Sequence, residues 1–138
     1  WSGEFVAESV TTGWSRLVGT DIKTVLEDTY LQETQGGRYR NNETFVVSDI
    51  YTVGHQPCHI KLLEQFEAKA YVIVPVFIGR KLWGLFAAYQ NSGARQWESS
   101  EVSFLAQIGG QFGAALQLAE SVKNAKLLED RTSRYLSL

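Results

Sequence analysis

Polar and apolar residues alternate from Glu4 to Val10, and this period of two predicts a half-buried strand. A chain that opens inside a strand implies that further elements precede Trp1. Between Leu26 and Glu43 the periodicity fades, and Gly36-Gly37 and Asn41-Asn42 mark turns. A second strand is expected over Thr44–Asp49. Pro57 then opens a short amphipathic helix over Cys58–Glu67, because its missing N–H costs nothing in a first turn.

Tyr71–Ile78 is almost wholly apolar and β-branched, the pattern of a strand covered on both faces. Pro75 within it places a bulge or an edge there. Gly79-Arg80 reads as a hairpin turn leading into a partner strand over Lys81–Gln90. A long helix follows, capped by Ser99 or Ser100, with Glu101 in its first turn. Val102, Leu105, Ile108, Phe112, Ala115, Ala119 and Val122 recur at steps of three and four, which predicts a packed face. Gly109, Gly110 and Gly113 each cost up to ~1 kcal/mol in a helix interior. Close approach of the helix backbone to a sheet or to another helix would offset that cost. The helical pattern continues through Leu128 and turns more polar past Glu120. The elements make an α+β domain, one antiparallel sheet with helices alongside.

With 138 residues the chain holds one domain of a size that needs neither disulfide nor metal. Thirteen basic against fifteen acidic residues give a net charge of -2, which does not point to nucleic acid. No apolar run approaches the ~20 residues of a membrane helix, and no signal segment opens the chain. The expectation is a cytoplasmic protein. One cysteine excludes an internal disulfide, and with two histidines it argues against a structural zinc site. Aromatic residues make up 12% of the chain, enough to line a site for a flat, apolar ligand.

The segment Gly54-His55-Gln56-Pro57-Cys58-His59 carries the most chemistry. A thiol at a helix start meets the positive end of the helix dipole, a setting that suits a nucleophile aimed at a conjugated double bond. The same cysteine could instead be a small hydrophobe filling a core gap. A Cys–His hydrolase fits poorly, because adjacent residues on a helix do not face each other and no orienting Asn or Asp is identifiable. Asp28 sits among apolar and aromatic residues, where a carboxylate could accept several N–H donors or simply be solvated. Arg38 and Arg40 follow a Gly-Gly turn and suit either a grip on a carboxylate or a wet surface. His55, His59 and Tyr89 are equally open.

Taken together, these pieces resemble the cyanobacteriochromes, the bilin-binding GAF domains of the phytochrome superfamily. The resemblance rests on Trp1–Ser9, Glu27-Asp28-Thr29-Tyr30-Leu31, Gly36-Gly37-Arg38-Tyr39-Arg40, Ser48–Tyr51, Cys58-His59 and Ala70–Gln90. These segments run in the family's order as far as about Glu98. It implies a GAF fold whose first helix and first strand lie before Trp1. Residues 1–120 would form the bilin-binding domain and residues 121–138 a C-terminal linker helix. It further implies a linear tetrapyrrole, phycocyanobilin or alternatively biliverdin, joined by a thioether to Cys58. Asp28 falls on the aspartate that hydrogen-bonds pyrrole nitrogens, and Arg38 on the arginine that pairs with a propionate. Tyr39 and His55 lie beside the propionates, His59 packs on the chromophore, and Tyr89 stands near the pocket wall. No catalytic residue and no metal are implied.

Two departures from the family pattern matter. Members that form a second, reversible thioether carry a cysteine two residues after the aspartate, where this chain has Tyr30. The chain therefore resembles the branch that switches between red and green. That branch places a Trp two residues before the aspartate, stacked on ring D, and here the residue is Leu26. The expectation is a dark state shifted toward the far-red, with an ordinary red/green cycle as the alternative. The family's partner is a signalling output module in the longer chain; the C-terminal helix could pair with a second copy in a homodimer or pack tightly on its own sheet. The rival readings are a GAF domain that binds a cyclic nucleotide or another small molecule without a covalent bond, and one that serves only dimerisation.

Overall fold

A computed structural model describes residues 4–19 and 29–136. Leu26 and Asp28 lie outside the described residues. The elements in chain order are α1 (Thr29–Thr34), α2 (Gly37–Arg40), β1 (Phe45–Val47), α3 (Pro57–Gln65), β2 (Ala70–Ile78), β3 (Lys81–Gln90) and α4 (Ser99–Leu136). The three strands form one antiparallel sheet in the order β1-β2-β3. The fold is the expected α+β arrangement, with a long C-terminal helix.

β2 is the central strand because its alternate residues are buried on both faces. Val72, Val74 and Val76 point one way and lie within 1% of complete burial. Tyr71 points the other way and is buried to the same degree. The register sets Val47 opposite Tyr71, and Tyr71 opposite Tyr89, so these three side chains share one face. β1 ends its pairing at Ile73, so Pro75 costs no ladder bond on that side among the described residues. A register irregularity follows at Val76/Phe77, one residue beyond the proline. The β2–β3 hairpin closes on Gly79, whose φ of 59° lies where glycine is free of Cβ strain.

The Val72–Val76 face is covered by α4. A Cβ on Gly109 would meet Val74 Cγ2 at 3.1 Å and the Pro75 carbonyl at 3.3 Å, and one on Gly113 would overlap the Phe77 carbonyl. These two glycines let the helix backbone lie against the strand. Gly110 faces open space, so close packing does not account for it. The face of α4 that meets the sheet consists of Val102, Leu105, Gly109, Gly113 and Leu116. The expected stripe therefore divides: its first half packs, with Phe112 meeting Trp83 of β3 edge-on at 5.8 Å, whereas Val122 is 59% exposed. The helix runs unbroken past the expected division at Glu120, and every described side chain from Gln117 on is exposed.

Three expectations are corrected. Residues 4–10 form no strand; a ladder needs a partner, and among the described residues none lies beside them. The segment is tied instead by the Glu8 carboxylate, which accepts from Leu17 N–H at 2.8 Å and Val18 N–H at 3.3 Å. Neither Ser99 nor Ser100 caps α4. The Glu98 carbonyl accepts the first helical N–H bonds, from Glu101 and Val102, and Glu101 returns a carboxylate bond to Glu98 N–H at 2.9 Å. The Glu98 N–H, ahead of the Arg95 guanidinium, holds the Glu101 carboxyl below its ordinary range despite some desolvation. Finally, the stretch in which periodicity fades contains the short helices α1 and α2, too short for periodicity to reveal, beside the expected bend at Gly36 and turn at Asn41-Asn42.

Candidate functional site

The sheet face opposite α4 carries an aromatic cluster assembled from four elements. Tyr71 on β2 is fully buried, and its hydroxyl lies 2.8 Å from His55 Nε2. The two rings are parallel to within 3°, with centroids 6.0 Å apart. Phe45, at the start of β1, meets Tyr71 edge-on at 5.8 Å and His55 at 6.2 Å. Tyr89 on β3 meets Tyr71 at 6.2 Å, and Phe66, just past α3, closes the cluster on Tyr89. Leu63, Phe66 and Ile50 complete the apolar floor.

Over this floor the loop before α3 brings the polar groups together. His55 and His59 stand edge to face, 4.5 Å apart. Between them in sequence, Pro57 opens α3 as expected, with Gln56 in the extended N-cap conformation. Cys58 falls in the first turn with its side chain exposed. Exposure rules out the core-filling reading of this cysteine, since a gap filler would be enclosed. The Arg38 guanidinium lies 3.9 Å over the Phe45 ring, a cation–π contact that fixes its position at the edge of the cluster. Arg38 also borders a polar cleft of about 500 Å³, lined with it by Thr34, Gly37, Arg40, Asn41 and Glu43.

The electrostatics follow from this packing. Burial, then the His59 and Arg38 charges, push the His55 pKa below its ordinary 6.5. At neutral pH the ring is thus neutral, with one nitrogen donating and the other accepting. Tyr89 keeps some accessible surface, yet burial pushes its phenol up to about 12, so the hydroxyl keeps its proton. Among the described residues no cluster of three or more His, Cys, Asp or Glu is arranged to hold a metal ion, and no helix is long and apolar enough to cross a membrane.

The structure thus brings Arg38, His55, His59 and Tyr89 around one cluster, with Cys58 exposed on α3, one residue before His59. Tyr39, on α2 beside Arg38, is buried. The backbone of Tyr30 belongs to α1, and its side chain lies outside the described residues, as Leu26 and Asp28 do entirely. Sequence reasoning missed Tyr71 and Phe45. Tyr71 carries the only polar-tipped side chain in β2, and a buried tyrosine hydroxyl needs a partner, which is the signal that would have found it. An exposed thiol, neutral imidazole and a fixed cation beside an aromatic floor can hold a conjugated ligand that carries carboxylates.

Comparison with known proteins gives this arrangement a context. The family model for the GAF domain matches residues 8–116. A solved red/green cyanobacteriochrome in its red light-absorbing state is 70% identical, with a TM-score of 0.80, over 88% of this chain and 78% of that one. A far-red absorbing dark state solved with bound biliverdin is 41% identical, with a TM-score of 0.76, over 86% of this chain and 73% of that one. A putative methyl-accepting chemotaxis protein of Synechocystis is 33% identical over 94% of this chain. The chain spans 12% of the length of that relative.

Proposed function

This chain belongs to the GAF domains of the cyanobacteriochrome family, and we propose that it is a photosensory module holding a linear tetrapyrrole covalently at Cys58. Phycocyanobilin is the first choice of chromophore and biliverdin the alternative. The observation that best supports this reading is the exposed Cys58 thiol in the first turn of α3, next in sequence to His59, whose ring meets His55 over the Tyr71–Phe45 floor. When bound, the tetrapyrrole supplies visible absorption and a reversible 15Z/15E isomerisation between a red or far-red dark state and a photoproduct of shorter wavelength.

The chain's own residues have separable tasks. Cys58 would hold the tetrapyrrole, its thiol adding across the exocyclic double bond of ring A with the thiol proton passing to the neighbouring carbon. Nothing leaves, so no further reagent is needed. Arg38, held flat on Phe45, pairs with a propionate, and Tyr39 and His55 stand beside the propionates. His55 is kept in place by Tyr71 and stays neutral, so it offers both a donor and an acceptor. His59 packs against the tetrapyrrole, Tyr89 walls the pocket, and Asp28 accepts pyrrole N–H groups. Tyr30, where a second cysteine would stand, leaves one thioether in both states. Leu26 in place of an indole leaves ring D less constrained, and this shifts the dark absorption toward the far-red.

The module acts as a sensor without catalysis, in the cytoplasm, with residues 1–120 as the bilin-binding part. Its linker, residues 121–138, carries the signal to an output module and pairs with a second copy. A light-driven change biases α4 only through contacts that differ between the two states. The test is an absorption spectrum before and after red or far-red illumination, on protein made in cells that supply phycocyanobilin. A coloured protein with a reversible blue shift is the expected result. Absence of colour with phycocyanobilin and with biliverdin would overturn the reading in favour of a GAF domain that binds a cyclic nucleotide or serves only dimerisation.

A further inference from the structure

α3 ends in a turn that ordinarily calls for glycine. Ala68 N–H donates to the Leu63 carbonyl and Glu67 N–H to the Glu64 carbonyl, each at 3.0 Å. This pair of bonds places Glu67 at the left-handed position just past the helix. Its φ is 57°, a conformation that glycine adopts freely and that strains a residue with a Cβ. Such strain persists only where the surroundings over-determine the residue.

The surroundings of Glu67 do so from two further segments of the chain. Its carboxylate takes Ser15 with both oxygens: Ser15 Oγ donates to Oε1 at 2.6 Å, and Ser15 N–H to Oε2 at 3.3 Å. Its carbonyl accepts from Asn91 Nδ2 at 3.0 Å, just past the end of β3. Glu67 thus joins the N-terminal segment, the helix that carries Cys58 and His59, and the end of the strand that carries Tyr89. A glycine would complete the turn, but it would leave Ser15 without this partner.

The segment tied through Ser15 lies on the aromatic floor. Phe5 meets Phe66 edge-on at 5.2 Å, and Phe66 meets Tyr89 at 6.2 Å. Leu17, 8% exposed, belongs to the same core as Leu63, Phe66 and Tyr71. Residues 4–18 join no strand ladder among the described residues, so side-chain ties hold them, Glu8 from within and Glu67 from α3.

We infer that Glu67 is a positioning residue for the ligand pocket, its carboxylate holding residues 4–18 against the Phe66–Tyr89 wall at a cost in backbone strain. The effect on a tetrapyrrole rests on the photosensory reading, whereas the tie to Ser15 stands without it. Once untied, the segment keeps only its apolar contacts, so the wall opens more often and a bound ligand samples more arrangements.

Hydrogen exchange on the bilin-loaded chain reads the tie, and the dark absorption spectrum reads the pocket. Glu67→Gly removes the carboxylate and the strain together, so α3 keeps its ending. Exchange at residues 15–18 is expected to rise by about tenfold, as for loss of a hydrogen bond to a charged group, and the dark absorption band to broaden. Ser15→Ala removes the other partner and gives the same two changes. The double variant adds nothing further, because both substitutions remove one interaction. Glu67→Gln keeps an acceptor oxygen at the same reach and preserves the wild-type band. Wild-type exchange at residues 15–18 in Glu67→Gly overturns the tie. Faster exchange with an unaltered band in both single variants overturns the positioning role. A wild type without colour overturns the photosensory reading and with it the effect on a tetrapyrrole, while exchange in the same chain still decides the tie.

Discussion

His55 Nε2 and the Tyr71 hydroxyl lie 2.8 Å apart, joining the loop before α3 to the central strand of the sheet. The loop leads into the helix that carries Cys58, and the strand carries the buried phenol. Tyr71→Phe keeps the ring and removes the bond. The loss is expected to be ~1 kcal/mol, read by urea unfolding of the apoprotein. With bilin bound, the same variant should alter the dark absorption, because the His55 ring loses its anchor.

The lowered pKa of His55 has a defined sign in stability. Unfolded, the imidazole titrates near 6.5; folded, it titrates lower. The unfolded chain therefore binds more protons in the window between the two values. Stability of the apoprotein is full above about pH 6.5 and falls as pH drops from there toward the folded value. Chemical unfolding at a series of pH values checks this, and in His55→Gln the decline across that window should be smaller.

Gly113 and Gly110 are three residues apart on α4 and predict opposite outcomes. Gly113→Ala drives a methyl into the Phe77 carbonyl and should destabilise the fold by about 1–3 kcal/mol, as overpacking does. Gly110→Ala meets nothing within 4 Å and should stabilise it by up to ~1 kcal/mol through helix propensity. Thermal unfolding of the two variants distinguishes them directly.

Trp97 Nε1 donates to the Val47 carbonyl at 3.1 Å, and Arg95 N–H donates to the Ser48 carbonyl at 2.9 Å. The end of β1 is thereby tied to the start of α4, two residues from the Phe45 that touches His55. Trp97→Phe should cost ~1 kcal/mol and raise hydrogen exchange in the first turn of α4. Attachment at Cys58 should be unaffected.

Two substitutions separate attachment from colour. Cys58→Ala should abolish zinc-induced fluorescence of the chain on a denaturing gel, since only a covalent tetrapyrrole survives there. Leu26→Trp should return the dark absorption to shorter wavelength by restoring an indole beside ring D. An unchanged spectrum would remove Leu26 as the cause of a far-red shift.

Much of the architecture was legible along the chain. The all-apolar run of β2, the glycine turn at Gly79 and the proline opening α3 are local signals, and each acts through the backbone within a few residues. Cys58 and Arg38 were found as chemistry-bearing types beside turn and helix signals. The capping of α4 was misread because Glu101 reaches back to Glu98 with Arg95 behind it, an arrangement that depends on side-chain placement and not on cap preference.

The order of the elements, the central strand, the long helix and the residue types able to hold a conjugated ligand all follow from period, turn chemistry and side-chain identity. That Tyr71 anchors His55, that Phe45 seats Arg38, and that α4 has a face for the sheet and a face for solvent emerge only from packing. Those facts join residues far apart in the chain through strand register and helix rotation. The same apolar letters satisfy several such arrangements until packing selects one.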